Sequence, residues 1–579
     1  MSKPDEKKVE EKNISRRNYL KYAGAGVVVV AVAGAGAYYA TQPAPTPIQT
    51  QTQTATQVVT SVVTASPTQS PTGINAIANV ALNAAGQNYS GTSIKILGEA
   101  PFWQSLIGKV SPFWTSSTGV PVAVDGVATF AMRDKALTEI TAHSGYYDII
   151  GSWYANIYDF IAAGGLEPLE PYIQKYYPNL FTDGPPYGFT PMQLNRYPGV
   201  NAKTYNGHIY AIVSDGDPWI MYYRKDLYTD PAEMAAFNSK YGYALAAPQT
   251  FDQWRDQLEF WRRKSGDKLA GKTLTKDFYG GAYMEGRYFA NMTYLTFFFG
   301  YGGVPFDPDT MTPLINQQEG LKALNKMIEL NKFLPADVST YDYTAANNLF
   351  AGGQAASFIS WGISGKALNS PAVASPEVYG NIGYSLLPGA KQGDYTIRNV
   401  QGFTQTPGVN QRARGPIHPA VMTMSSDSKN KDLAFLFMLW VLSPSISMSA
   451  VFDPSGSWDP YRYCHFDANL ASAALKEGGN LFDPAAYKKY LEVQWASQGT
   501  VSPDIALQQG AVYQDKLDIQ IGAAISGTTD AQTALNNVAK DWETITNTVG
   551  RDTQKSLYQV LYPLYVSPVP DEYRVVYPF

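Results

Sequence analysis

The sequence predicts an α/β fold that follows an N-terminal hydrophobic segment and an uncharged stalk. At 579 residues the chain is long enough for two or three domain-sized cores. From Ser93 onward, strand-type and helix-type segments alternate in units of about thirty residues, the pattern of a parallel sheet with helical crossovers. Charged residues make up only 16% of the chain and aromatic residues 13%, which indicates a sparsely charged, aromatic-rich surface.

The composition argues against several functional classes. A formal net charge of −5 without a clustered basic face argues against a nucleic-acid partner. Because Cys464 is the only cysteine, neither an intrachain disulfide nor a thiolate zinc cluster can form. The histidines lack the i,i+4 spacing of a metal-binding helix, and they are His143, His208, His418 and His465. We therefore expect neither a metal nor a cofactor.

The chain opens with a basic segment, residues 1–21, that ends in the stretch SRRNYLK. This stretch resembles the twin-arginine export signal, with Arg16 and Arg17 as the signal pair and Tyr19 in the place of Phe. Residues 22–40 follow without a charge, and a helix of that length can just cross the hydrocarbon core of a bilayer. The basic flank should stay in the cytoplasm, so everything after Ala40 is expected outside the cell.

Residues 41–91 are predicted to form a stalk and a polar lead-in. Residues 41–72 carry no charge and an excess of Thr, Gln, Pro and Ser, so they cannot bury enough apolar surface to fold. A stalk is useful only when something is tethered, which favours a membrane anchor that is retained. Cleavage is the alternative, because Ala35-Gly36-Ala37 is an acceptable small-residue cleavage site.

Six elements are predicted in order after the stalk. Apolar alternation and helical spacing indicate strands at Ser93–Gly98, Val120–Val124 and Tyr146–Ser152, and helices at Phe102–Ser117, Ala131–Ala142 and Asn156–Ala163. In parallel sheets of this kind, ligands bind beyond the carboxyl ends of the strands. The stretches Glu99–Trp103, Asp125–Phe130 and Ser152–Tyr154 should therefore converge on one crevice.

Seven motifs occur in an order that resembles one known family. They are YYDIIGSWYANIYDFIAAGGLEPLEPYI, NGHIYAIVSDGDPWIMYYRKDLY, PQTFDQWRDQL, NNLFAGGQAASFISWG, YGNIGYSLLPGA, SSDSKNKDLAFLFMLWVLS and DPSGSWDPYRYCHFD. Across nearly all of residues 92–550 this series resembles the extracellular solute-binding proteins, family 1. The resemblance implies a periplasmic-binding-protein fold of type II, the maltose-binding type, in which a hinge connects two lobes.

The resemblance also implies how the chain divides between the lobes. Lobe I would comprise residues 92–215 and 403–452, and lobe II residues 216–402 and 453–579, including the C-terminal helices. The chain would cross near residues 213–219, return near 403–424 and leave again near Phe452. A ligand would lie between the lobes, at an interface that closes around it.

Sugar recognition needs aromatic plates beside planar polar groups, and the predicted strand ends and crossings supply both. A sugar stacks its faintly apolar faces on aromatic rings and exchanges hydrogen bonds through its hydroxyl rim. The aromatic candidates for ligand binding are Phe102, Trp103, Trp153, Tyr154, Trp219, Trp361, Phe403 and Trp458. The polar candidates are Glu99, Asp125, Asp217, Asp459 and Arg462. The alternative for each aromatic residue is core packing, and it is their clustering that favours a site. Asp148 and residues 222–224 are assigned to structure, the latter to the hinge strand.

The resemblance implies a receptor that captures a sugar, oligosaccharide or polyol outside the cell and delivers it to the membrane permease of an ABC importer. The sequence has no GxxxxGK[ST] loop, so this chain is not expected to hydrolyse ATP. Separate ATPase subunits would do so on the cytoplasmic side. Such a receptor is not an enzyme, needs no catalytic residues and is usually a monomer. The alternative is a secreted glycoside hydrolase that uses Glu99 and Asp217 as paired carboxylates.

Two further expectations follow from the sequence. The sequons that begin at Asn88 and Asn291 fit an exported, glycosylated protein. Substituting Trp219 or Trp458 with Ala should weaken ligand binding and leave the fold intact.

Overall fold

The computed structural model describes residues 73–89, 91–100, 102–195, 197–396, 415–417, 419–453, 458–470 and 484–566. The signal pair Arg16 and Arg17, the hydrophobic segment, the stalk up to residue 72 and Phe403 lie outside the described residues.

The described elements alternate between strands and helices for most of the chain. The strands are β1 (Ile94–Glu99), β2 (Val122–Val127), β3 (Ile149–Trp153), β4 (Ala211–Val213), β5 (Trp219–Arg224), β6 (Lys268–Leu269), β7 (Lys272–Thr273), β8 (Ser357–Trp361), β9 (Ile382–Ser385), β10 (Gly415–Ile417), β11 (Ala420–Met424) and β12 (Val501–Pro503). The helices are α1 (Ala76–Asn88), α2 (Phe102–Thr118), α3 (Met132–Thr141), α4 (Ile157–Ala162), α5 (Glu170–Tyr176), α6 (Pro191–Asn195), α7 (Lys225–Tyr228), α8 (Pro231–Tyr241), α9 (Phe251–Trp261), α10 (Ala290–Gly300), α11 (Gln318–Asn331), α12 (Tyr343–Ala351), α13 (Ser364–Leu368), α14 (Lys431–Val441), α15 (Pro444–Phe452), α16 (Pro484–Gln498), α17 (Gly510–Ile525), α18 (Ala531–Val549) and α19 (Arg551–Val566).

A helix precedes the first strand, where the sequence analysis predicts only a polar lead-in. Helix α1 places Ile77, Ala81 and Ala85 on one buried face at a spacing of four residues. It packs against α2 and α14. The sequence does not predict this helix, because the small side chain of alanine marks a buried face only weakly.

Lobe I is built on a five-stranded sheet in the order β2-β1-β3-β11-β4. Strands β1, β2 and β3 are parallel, whereas β11 runs antiparallel to both β3 and β4. Ile94, Ile96 and Leu97 of β1 are fully buried, as expected for a strand that helices cover on both faces. The predicted alternation of strands and helices is confirmed here, and β1 and β3 end at the same edge of the sheet.

Asp148 stands immediately before β3 and has the structural role that the sequence analysis assigns to it. One carboxylate oxygen accepts the backbone N–H of Lys95 at 3.0 Å, and the other accepts the hydroxyl of Ser428 at 2.6 Å. This buried carboxylate therefore joins β1 to the loop that follows β11.

Lobe II is built on a three-stranded antiparallel sheet in the order β8-β5-β9. Residues 222–224, which the sequence analysis assigns to structure, lie in β5, the central strand. The pairing of β5 with β8 sets Trp219 directly opposite Trp361. Helix α10 is buried along its whole length and packs against α11 and α17. The antiparallel pairing thus brings together two tryptophans that are far apart in sequence.

The segment 214–218 joins β4 of the first sheet to β5 of the second. A second segment, residues 458–460, lies directly against it. The Gly216 N–H donates to the Asp459 carbonyl at 3.2 Å, and a Cβ atom at Gly216 would meet the Pro460 carbonyl oxygen at 2.1 Å. Only glycine permits such a close approach of two backbones. We call these two stretches the crossing segments.

Across the described ranges, no single helix is both long enough and apolar enough to cross a membrane. Helices α14 and α15 reach that length and composition only as a pair bent by 60°.

Candidate ligand-binding cavity

A cavity of about 400 Å³ is lined by residues of both lobes. Lobe I contributes residues at the carboxyl ends of its parallel strands and in the turns behind them, among them Glu99, Trp103, Thr129, Phe130, Arg133, Asp134, Trp153 and Asn156. Lobe II contributes the starts of three helices and the end of β8, among them Tyr288, Asn291, Tyr343, Trp361 and Asp515. The first crossing segment adds Asp215 and Asp217.

The cavity brings together part of the set of ligand-binding residues that the sequence predicts. Those that line it are Glu99, Trp103, Trp153, Asp217 and Trp361. Those that the structure places outside the lining are Asp125, Tyr154, Trp219, Trp458, Asp459 and Arg462. The side chain of Phe102 and the whole of Phe403 lie outside the described part of the chain.

Trp219 and Trp458 lie behind the cavity wall rather than in it. The Trp219 ring packs against that of Trp361, with 5.0 Å between centroids, and the Trp458 ring meets that of Trp103 edge-on at 5.9 Å. Both outer rings are almost fully buried. Truncating such a ring to Ala costs about 3–5 kcal/mol of stability, so these substitutions should also lower the free energy of unfolding.

Asp125 lies within a strand and not beyond its end, because β2 extends to Val127 and the sequence analysis ends it at Val124. The residue pairs with Leu97 in the sheet, and its carboxylate accepts the Tyr147 hydroxyl at 2.9 Å. β2 is also the edge strand of lobe I, where Asp125 is exposed. Because β2 ends three residues later than predicted, this carboxyl group does not line the cavity.

Arg462 binds protein backbone. Its Nε donates to the Leu442 carbonyl at 2.9 Å and its Nη1 to the Tyr187 carbonyl at 3.0 Å. Its guanidinium lies 3.8 Å from the ring centroid of Phe189. The residue is 1% exposed, so it joins three chain segments in the interior. Tyr154 is also fully buried, with its hydroxyl against that of Tyr158.

An aromatic contact joins the two lobes at the cavity. Phe130 of lobe I stacks on Tyr288 of lobe II, with 4.2 Å between centroids and 20° between planes, and meets Phe289 edge-on at 5.9 Å. Behind Tyr288, the Arg287 guanidinium lies 4.0 Å from the ring centroid and forms a 2.7 Å ion pair with Asp518. Tyr288 has φ 75°, a left-handed conformation that is uncommon for a bulky residue and typical of ligand clamps. We call Phe130, Tyr288 and Phe289 the aromatic rim.

Several polar atoms of the cavity wall have no partner among the described protein atoms. The indole N–H groups of Trp153 and Trp361 are buried without an acceptor. Asn291 is 3% exposed; its Nδ2 donates to the Tyr288 carbonyl at 2.9 Å, whereas its Oδ1 is buried without a donor. A buried polar atom costs free energy until it is paired, so a ligand with hydroxyl groups would stabilise all three.

The burial of Asn291 also corrects one expectation from the sequence. Its side chain is held by Tyr288 and Asp518 inside helix α10, so the sequon there is closed to an attached sugar in the folded chain. Within the described ranges, no group of three or more His, Cys, Asp or Glu residues is arranged to hold a metal ion.

Comparison with known proteins decides the family. Residues 97–447, more than half of the chain, match the family of bacterial extracellular solute-binding proteins. The chain belongs to this family.

Solved structures confirm the two-lobed α/β fold. A ribitol-bound ABC transporter solute-binding protein of Agrobacterium radiobacter K84 superposes with a TM-score of 0.58 at 17% identity, over 79% of this chain and 99% of that chain. The maltose-bound MalE3 of T. maritima gives 0.56 at 19% identity, over 79% and 100%. The maltotriose-bound MalE domain of Bdellovibrio bacteriovorus gives 0.55 at 14% identity, over 79% and 100%.

The crossing segments of this solute-binding protein carry a buried carboxyl cluster next to the cavity. Asp215 Oδ1 accepts the backbone N–H of Asp459 at 2.6 Å and that of Asp217 at 3.2 Å. Burial, and then the charge of Asp459, raise the pKa of Asp215 well above its usual range. Asp459 in turn accepts the Gln494 amide at 3.0 Å. Asp459 thus lies behind the cavity, with its backbone N–H bound to Asp215.

Glu99 is the titratable group of the cavity whose charge is most sensitive near neutral pH. It ends β1, is 5% exposed, and accepts a hydrogen bond from the Thr129 hydroxyl. Burial raises the pKa of Glu99 to about 7, and the hydrogen bond from Thr129 opposes that rise. The carboxyl group is therefore partly protonated at neutral pH, and can donate a hydrogen bond as well as accept one.

Sequence reasoning missed several lining residues, above all Asp215, Tyr288, Asn291 and Asp515. Asp215 stands in the predicted crossing, two residues before Asp217, so its position in the sequence could have identified it as a lining residue. Tyr288 and Asn291 come from the turn into α10, for which the sequence analysis predicted no element. No local pattern in the sequence marks them.

We expect Glu99→Gln to flatten the pH dependence of stability. In the wild type, folded Glu99 stays neutral while the unfolded carboxyl ionises, so stability is greatest below about pH 4.5 and is lost as the pH rises to about 7. Relative to the wild type, the variant should therefore gain roughly 2–3 kcal/mol in unfolding free energy between about pH 5 and pH 8, measured by urea titration.

Glu285→Gln is the matched control for this experiment. Glu285 is also buried, which raises its pKa to about 8, but it does not line the cavity. It should show a similar gain in stability and leave ligand affinity unchanged. A pH dependence that is the same in Glu99→Gln and the wild type would contradict the assignment.

Proposed function

We propose that this solute-binding protein is the extracellular receptor of an ABC importer, that it captures a sugar or polyol between its lobes, and that it delivers this ligand to the membrane permease. The observation that carries the proposal is a cavity lined from both lobes by Trp103, Trp153 and Trp361 beside carboxyl and amide groups. Aromatic plates suit the apolar faces of a sugar, and the polar groups suit its hydroxyl rim.

The solved relatives support the same ligand class. The structures that share the fold hold ribitol, maltose or maltotriose. Both family and fold favour the receptor over the glycoside hydrolase alternative, although Glu99 and Asp217 both line the cavity. A receptor makes and breaks no bond, and its work is the differential binding of the ligand by the closed arrangement of the lobes.

A sugar panel tests the ligand class. Ribitol, mannitol, glucose, maltose and maltotriose are added separately, and the unfolding temperature is followed by differential scanning fluorimetry. A bound ligand raises that temperature in proportion to the logarithm of its concentration above the dissociation constant. We expect at least one member to do so and to be recovered intact by mass spectrometry. Recovery of shortened maltotriose would overturn the receptor proposal.

A pair of tryptophan variants locates the binding site in that assay. Trp361→Phe keeps an aromatic plate in the cavity and removes the unpaired indole N–H, so the ligand-induced shift should decrease. Trp440→Phe removes an equally unpaired N–H that is buried in α14, outside the lining. It should lower the unfolding temperature without reducing the ligand-induced shift.

The aromatic rim should contribute to closure around the ligand. Phe130→Ala removes the ring that stacks across the lobes on Tyr288. Aromatic pairs of this kind contribute about 0.5–1.5 kcal/mol beyond the area they bury, so the dissociation constant should rise about 2- to 10-fold. Stopped-flow tryptophan fluorescence should assign the change mainly to faster dissociation.

Phe113→Ala is the control for the rim variant. Phe113 is 56% exposed, stacks on Trp440 and does not line the cavity, so its removal should leave the dissociation rate unchanged. Equal dissociation rates in Phe130→Ala and the wild type would show that the rim does not hold the closed arrangement.

We also propose that residues 22–40 remain as a membrane anchor after export by the twin-arginine route, with the folded part tethered outside the cell. The SRRNYLK signal, the uncharged segment and the Thr/Gln/Pro-rich stalk support this proposal. Mass spectrometry of the protein purified from membranes should show an N-terminus before Tyr22. A mature chain that begins near Tyr38 or Thr41 would rule out the tether.

A further inference from the structure

The charges that line the cavity are predominantly negative. Among the described lining residues, carboxyl groups come from Glu99, Asp134, Asp215, Asp217 and Asp515, and one guanidinium comes from Arg133. The carboxyl groups originate in both lobes and in the first crossing segment, so they surround the ligand space. Low-dielectric walls strengthen the field of such an arrangement inside a cleft.

The positive charges in and behind this wall are already paired with protein groups. Arg133 forms ion pairs with Asp159 at 2.6 Å and with Asp134 at 3.0 Å. Behind the wall, Arg287 pairs with Asp518 and Asp515. Burial raises the pKa of Asp215 and of Glu99, so these two carboxyl groups carry less negative charge than the others. Each guanidinium nevertheless faces two carboxylates, and Asp217 adds a further carboxyl group, so negative groups remain in excess.

Lys366 is a further cation near the cavity. Its ammonium is buried and donates to the Trp458 carbonyl at 2.8 Å, on the far side of the lining from the ligand space. Asp459, Asp215 and Asp453 are the carboxyl groups that share its surroundings. An anionic ligand would therefore find no uncommitted cation among the described residues at the cavity.

The hydrogen-bond inventory points the same way. Among the acceptors of the wall, the buried Asn291 Oδ1 has no donor, and the carboxyl groups of Asp134, Asp217 and Asp515 add further acceptor oxygens. A ligand group that donates hydrogen bonds would satisfy these acceptors, whereas a group that only accepts would leave them unpaired. A carboxylate or phosphate only accepts, a hydroxyl does both, and an ammonium group donates three times.

We propose that the cavity excludes anionic sugars and that it binds an amino-substituted sugar more tightly than the parent sugar with a hydroxyl group at the same position. This inference rests on the proposed sugar-receptor function. It adds that the selection is by charge: the wall repels a negative group and attracts a positive one, whereas the tryptophan plates act on all sugars alike. The amine would displace the solvent that otherwise hydrates the carboxylates.

The experiment compares matched sugars on two skeletons by isothermal titration calorimetry at about pH 7, below the pKa of an amine of this kind. One set is glucose, glucosamine and glucuronate, and the other is galactose, galactosamine and galacturonate. In the set that binds, we expect the amino sugar to bind at least about threefold more tightly than the parent, and the uronate at least about tenfold more weakly.

A charge variant tests whether the carboxyl groups of the cavity wall cause this order of affinities. Asp217 lines the cavity with φ 49°, a left-handed conformation that asparagine also adopts readily, so Asp217→Asn changes the charge with little change in backbone strain. It should reduce the preference for the amino sugar by at least about threefold and improve uronate binding. Asp125→Asn, which removes an exposed carboxyl group outside the lining, should leave both ratios unchanged.

The outcomes separate the inference from the function on which it rests. A uronate that binds as tightly as its parent sugar, or an order that Asp217→Asn leaves unchanged, would overturn selection by charge and leave the sugar receptor standing. Failure of both skeletons, together with failure of the sugar panel, would overturn the sugar receptor and this inference with it.

Discussion

The arrangement of the lobes and the cavity depends on one buried carboxyl group, that of Asp215. It accepts backbone N–H groups from Asp217 and Asp459, and thereby binds both crossing segments at one oxygen atom. The contact is possible because Gly216 lets the two backbones approach without a side chain between them. Asp215 also lines the cavity, so a ligand that contacts this carboxyl group acts directly on the connection between the lobes. Ligand binding and the arrangement of the lobes are therefore energetically coupled.

The fold of lobe I could be predicted well because its signals are local. Apolar alternation identified β1 and β3, and the spacing of the helices between strands required a parallel sheet. The prediction failed where the signal is weak. The edge strand β2 alternates half-buried and exposed residues without a clear end, which misplaced Asp125. The alanine face of α1 carries too little hydrophobic contrast to be recognised.

The cavity could be predicted only where strand ends define it. Glu99 and Trp153 end β1 and β3, and the rule that ligands bind at this edge was sufficient to locate them. The lobe II wall follows no such rule, because it is made by helix starts and by a turn that holds Tyr288 in a left-handed conformation. The contact of Phe130 with Tyr288 exists only when both lobes are folded and opposed. No local pattern encodes a contact between such distant elements.

Four tryptophans at the cavity form two layers with different roles. The inner layer, Trp103 and Trp361, faces the ligand space, and the outer layer, Trp458 and Trp219, supports it ring against ring. A plate that is already immobilised loses little side-chain entropy when a ligand binds, so more of the contact energy becomes affinity. In the proposed receptor, the outer rings would therefore influence affinity without contacting the ligand. This division also explains why the aromatic residues could be recognised as a group in the sequence while their individual positions, facing the ligand or behind the wall, required the structure.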